Sequence, residues 1–187
     1  MSLSKLPDHI RHLIVRLPYR VGYYISQSDQ SGGDASSDAE MKALENVVTF
    51  YVEDFCKSEF AQAVMLETLQ NKHDWANWQG EIQTVPEDLK KVFDGLIGLV
   101  EMKDIIAFKN NLLEIAVAVA MAYREFDATE PWVDRFKVYL SILIQRIKNQ
   151  FGGEPPASYD QLLNISREEK MAINLLADTL GIKYKVG

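Results

Sequence analysis

The chain has 187 residues, 47% of them apolar and 25% charged, with a formal net charge of -7. That length encloses one substantial core without metals or disulfides, and the composition is that of a folded rather than a disordered chain. The negative charge repels phosphate backbones and the basic residues are scattered along the chain, which argues against nucleic-acid binding.

Cys56 is the only cysteine, so no internal disulfide forms, and no activating base adjoins it. A buried structural thiol is the expectation. The N-terminus lacks the basic, then apolar, then small-residue order of a secretory signal, so a cytoplasmic location is expected.

Alternating β-branched runs are almost absent, whereas apolar residues recur at three- and four-residue spacing. The pattern predicts an all-α, multi-helix bundle of about eight helices, forming a single helical domain over 1–187. Two helices are expected at about 7–17 and 18–28, with Pro7 and Pro18 each at a first turn, where no backbone donor is needed. Residues 29–36 form a loop by composition. Ser37 and Glu40 then frame a capping box for a helix with Met41, Leu44, Val48, Tyr51, Val52 and Phe55 on one face.

Helical character continues over about 59–78, and Pro86 opens a helix carrying Leu89, Val92, Phe93, Leu96 and Val100. Gly95 and Gly98 weaken it unless another backbone packs closely against it. Asp104 is placed to cap a long apolar helix running to about Phe126. Its most apolar part, Leu112 to Tyr123, contains Glu114 and is far shorter than the roughly 20 residues that span a bilayer, so it reads as a central buried helix. Pro131 starts a further helix bearing Val133, Phe136, Leu140, Leu143, Ile144 and Ile147, which ends at Gly152 and Gly153. Ser166 and Glu169 frame a second capping box, for a last helix stopping near Gly181 with Leu175, Leu176 and Leu180 inward.

The segments Ser37 to Leu44 and Ser166 to Ile173 align without gaps. They share the serine, the glutamate and the alanine at Ala43 and Ala172, which suggests an internal duplication. A small-residue helix with Ala116, Ala118, Ala120 and Ala122, an Asp and Gly loop, and Ser-x-x-Glu opening a helix together resemble the tellurite-resistance TerB-like family. The closing stretch Ile173 to Ile182 is similar to that family's last helix. The resemblance covers two patches, and the family's adjacent Asp-Gly pair is missing from both. It implies a non-enzymatic stress-response module, associated with tellurite resistance, whose acidic residues hold a metal.

Asp29 to Glu40 spans twelve positions with carboxylates at both ends and Ser31 and Ser37 at the third and ninth places, the outline of a calcium loop. Asp34 stands at the sixth place, where glycine makes the sharp turn, and Gly33 at the fifth, where a side-chain oxygen is wanted. A regular helix-loop-helix site is therefore not expected. A looser oxygen site of Asp29, Asp34 and Glu40 holding a divalent cation is the metal-binding candidate. The competing reading is capping: Glu40 completes the box, Asp34 and Asp38 favour a helix N-terminus, and Asp29 is an ordinary loop residue.

His9 and His12 are three apart with no third ligand nearby, and Glu-x-x-His pairs of the di-iron bundles do not occur. The first helices carry Lys5, Arg11, Arg16 and Arg20 against Asp8, a locally basic end of an acidic protein. It reads as the solvated edge of a core-facing helix, with a partner or a peripheral membrane contact as the lesser alternative. Trp75, Trp78 and Trp132 read as core anchors before they read as a ligand cage, with His73 and Asp74 placed to line a pocket beside Trp75. No catalytic grouping is legible. Three readings stay open: a TerB-like module with a cation, a metal-free scaffold for a protein partner or self-association, and a small-ligand binder or enzyme with an interhelical pocket.

Overall fold

The structure is a computed structural model in which residues 3–28, 44–49, 56, 58–125 and 165–184 are described, with side chains of the long central helix described as far as residue 120. All regular elements among them are helical. They are α1 (Asp8–Ser26), residues 44–49 (α2), α3 (Glu59–Gln70), α4 (Val85–Leu96), α5 (Met102–Glu125) and α6 (Arg167–Leu180). Three short 3-10 segments, Leu3–Lys5, Lys72–Trp78 and Ile82–Thr84, complete the set. The all-α expectation holds. The helix expected from Pro131 and the capping box of Ser37 and Glu40 lie outside the described residues.

Helix α1 packs against α3, α4, α5 and α6, and from Leu17 to Gly22 every residue is buried. The expected break at Pro18 does not occur, because α1 runs unbroken from Asp8 to Ser26 with Pro18 inside it. Proline in a helix interior removes one hydrogen bond and crowds the carbonyl four residues back, at a cost of about 3 kcal/mol. Packing on four sides offsets that cost. A neighbouring helix also supplies a donor in the turn before the proline: the buried Thr68 hydroxyl of α3 donates to the Val15 carbonyl at 2.7 Å.

The second buried helix is α5, in which residues 111–120 are all buried, as the run from Leu112 predicts. It starts at Met102 rather than after Asp104, so Asp104 lies in its first turn, where a carboxylate still favours the positive end of the helix. Phe108 joins the layers, 6.0 Å from Phe60 of α3 and 5.9 Å from Phe93 of α4 between ring centroids. Gly22 lets α1, α2 and α5 converge: a Cβ there would lie 2.2 Å from Leu44 Cδ1 and 3.3 Å from Val119 Cγ2. Gly95 has the same use in α4, where a Cβ would meet Ile10 Cδ1 at 2.4 Å, so the close neighbour is a side chain rather than the expected backbone.

Helix α6 shows the expected cap in full. The Glu169 amide donates to Ser166 Oγ at 3.1 Å and the Ser166 amide donates to Glu169 Oε2 at 2.7 Å. Gly181 closes the helix in the left-handed region at φ 69°. Its inner face is Glu169, Ala172, Ile173, Leu176, Ala177 and Leu180. Leu175, expected inward, is 47% exposed, because the buried stripe follows Ile173 and Ala177 instead.

Candidate functional site

Asp8, Arg11, His12, Val15 and Arg16 follow the three- and four-residue spacing that puts them on one stripe of α1. Opposite them stand Glu67 of α3, Asn71 just beyond it, and Asp74 and Trp78 of the 3-10 segment. Together they line a solvent-open cleft of about 340 Å³. Val15 and Trp78 are its buried, apolar part; the remainder of the lining is polar or charged.

One wall is tied across the helices. Arg11 donates from Nε to Glu67 Oε1 at 3.0 Å, and its Nη2 lies 3.0 Å from the same oxygen. Both side chains are partly solvated, so the pair contributes at most about 1 kcal/mol and serves mainly to hold the wall. The Asn71 side-chain amide donates to the Glu67 carbonyl at 2.8 Å, alongside the backbone amide of the same residue at 3.2 Å, and so doubles the last helical bond of α3. Deeper in, the Arg16 guanidinium lies over the Trp78 ring, 5.9 Å from its centroid. Trp78 in turn packs edge-on to Tyr19 at 6.2 Å, and Tyr19 stacks on Trp75 at 4.6 Å. Burial pushes the Tyr19 hydroxyl up in pKa, against the opposing hydrogen bond that Gln79 donates to it at 2.8 Å.

Behind the cleft, Arg20 is buried and not part of a solvated basic edge as expected. It donates to Asp88 Oδ2 at 2.5 Å, to Thr84 Oγ1 at 3.0 Å and to the Glu81 carbonyl at 2.9 Å. Thr84 Oγ1 also lies 3.0 Å from Asp88 Oδ2. These bonds pin residues 80–84, including Glu81 in the left-handed region at φ 50°, and the first turn of α4 against the middle of α1. The signal for this role was the position of Arg20 in the apolar stripe of Ile14, Leu17 and Val21.

Trp75 and Trp78 are core anchors, as expected, while Trp132 lies outside the described residues. Asp74 lines the cleft, but the exposed His73 does not; its Nε2 lies 3.6 Å from Asp74 Oδ2. His12 enters the cleft and His9 stays outside it. Cys56 is half-buried with its thiol pushed up to about 11 by burial, and the Asn111 amide donates toward its Sγ at 3.9 Å. That environment is the one expected of a structural thiol.

The proposed cation ligands Asp29, Asp34 and Glu40 lie outside the described residues. Among the described residues there is no group of three or more His, Cys, Asp or Glu side chains placed to hold a metal, and no helix is long and apolar enough to cross a membrane. The chain matches no protein-family model, no curated protein and no solved structure.

Proposed function

We propose that the chain is a non-enzymatic helical binding module of the TerB-like kind, acting in a stress response such as tellurite resistance. Asp29, Asp34 and Glu40 are its proposed divalent-cation ligands. The observation that supports this reading best is the Ser166–Glu169 cap at the head of α6, a helix that packs on the small-residue helix α5. Those are two of the features on which the family resemblance rests. Ser37 and Glu40 repeat the same Ser-x-x-Glu in the acidic segment, and hard cations accept irregular sets of carboxylates. Isothermal titration of calcium, magnesium, manganese and zinc into metal-stripped protein tests it: saturable uptake of one ion, abolished in Asp29→Ala, is expected.

A second reading draws on one specific bond. The Glu169 carboxylate is engaged by the Ser166 amide at 2.7 Å, so in this copy of the pattern the glutamate serves the cap. If Glu40 does the same, the acidic segment is capping chemistry and the chain is a metal-free scaffold for a protein partner or for self-association. In that case titration shows no uptake and Glu40→Ala costs only the stability of a cap, about 0.5–2 kcal/mol.

A further inference from the structure

We infer that the α1–α3 cleft binds a short zwitterionic peptide of two or three residues, carboxylate toward Arg16 and ammonium toward Asp8. This site is separate from the acidic segment and does not depend on whether that segment holds a cation.

The lining chooses the chemistry. Arg11 is committed to Glu67, but Arg16 makes no ion pair among the described residues. Its guanidinium lies over the Trp78 ring, 5.9 Å from the centroid, and among the described residues its N–H groups are free to meet a planar carboxylate. Asp8 also makes no ion pair among the described residues and sits two helical turns earlier on the same stripe. Eight residues of helix separate the two by about 12 Å along the axis. An extended chain covers about 3.3–3.6 Å per residue, so the termini of a tripeptide, met by a flexible Arg16 side chain, match that separation. His12 stands between them, one turn from each, as a partner for a peptide N–H or C=O. Val15 and Trp78 give a small apolar floor for one side chain.

The same lining excludes other ligands. Asp8, Glu67 and Asp74 outnumber Arg11 and Arg16 around the cleft, a balance that disfavours phosphates, nucleotides and other multiply charged anions. A purely apolar ligand would leave Arg16 and Asp8 desolvated without partners. A volume of about 340 Å³ lies at the small end of ligand sites.

The test is calorimetric titration of the full chain with trialanine, with N-acetyl-trialanine, with trialanine amide and with inorganic phosphate. Saturable binding of trialanine is expected, with affinity lower by about tenfold or more for each blocked peptide and no saturation by phosphate up to about 10 mM. Arg16→Gln should weaken trialanine by about tenfold while leaving trialanine amide unchanged; Asp8→Asn should do the same with N-acetyl-trialanine unchanged. Both side chains are exposed, and circular dichroism melting verifies that each variant is folded. Absence of saturation by trialanine, equal binding of free and blocked peptides, or preference for phosphate overturns the inference.

Discussion

Arg20 and Asp88, 68 positions apart in sequence, meet at 2.5 Å with less than a tenth of either side chain exposed. Burying two charges is costly, and the extra partners each finds offset part of that cost, Thr84 and the Glu81 carbonyl for Arg20 and the Thr84 hydroxyl for Asp88, while Arg20 Nε is buried without a partner among the described residues. Arg20→Ala or Asp88→Ala strands the other charge, and each should lower the unfolding free energy by about 3–5 kcal/mol in urea titrations. The double change Arg20→Met with Asp88→Leu removes both charges together. It should cost much less than the sum of the two alanine variants.

The cap of α6 makes a smaller and more local prediction. Ser166→Ala removes the acceptor for the Glu169 amide and should cost about 0.5–2 kcal/mol. Glu169→Gln keeps an acceptor for the Ser166 amide, as glutamine also completes a capping box, and should be the milder variant. Chemical denaturation of the two variants side by side reads the difference.

These two sites mark the limit of what the sequence discloses. The Ser166–Glu169 box is written in four consecutive residues and needs no other part of the chain, so its expectation holds atom for atom. Pro18 looks like a boundary by local rules and is not one, because packing of α1 on four helices overrides them. Arg20 looks like a surface cation until Asp88 is brought to it by the fold. The cleft was visible only in fragments: the basic stripe of α1 and the tryptophans were each legible. That Arg11 meets Glu67 and Arg16 meets Trp78 depends on helix packing, which periodicity does not encode. Leu175 is expected inward and is exposed for a similar reason, since a stripe with Leu176 and Leu180 admits either Leu175 or Ile173 beside it and the fold buries Ile173.

Crowding at Gly22 gives a third prediction. A methyl there would sit 2.2 Å from Leu44 Cδ1, so Gly22→Ala forces α1 and α2 apart or drives Leu44 off its rotamer. Overpacking of this kind costs about 1–3 kcal/mol, although alanine is the better helix former. Leu44→Val shortens the offending side chain. Combining it with Gly22→Ala should return part of the lost melting temperature, which a simple sum of two core defects would not do.

Two weak acids, the half-buried Cys56 and the buried Tyr184, contribute to stability at alkaline pH. Burial pushes the Cys56 thiol up to about 11 and the Tyr184 hydroxyl up to about 12. Both are neutral when protonated, and the unfolded chain releases these protons at lower pH than the folded one. Their contribution is therefore complete below the unfolded values of 9.0 and 10.0 and is lost as pH rises through the folded ones. Stability should decline between about pH 9 and 12, with a shallower decline in Cys56→Ser. At pH 8 the folded protein should react with iodoacetamide far more slowly than the same chain in denaturant.

The claim that the chain is a cation-dependent module is tested most directly by thermal unfolding of metal-stripped protein in millimolar calcium, magnesium, manganese or zinc. The native chain is compared with Asp29→Ala, Asp34→Ala and Glu40→Ala. A ligand that binds only the folded state raises the melting temperature in proportion to the logarithm of its concentration above Kd. The account predicts a rise specific to one ion and lost in all three variants. No rise with any ion, or a rise that survives all three substitutions, contradicts it.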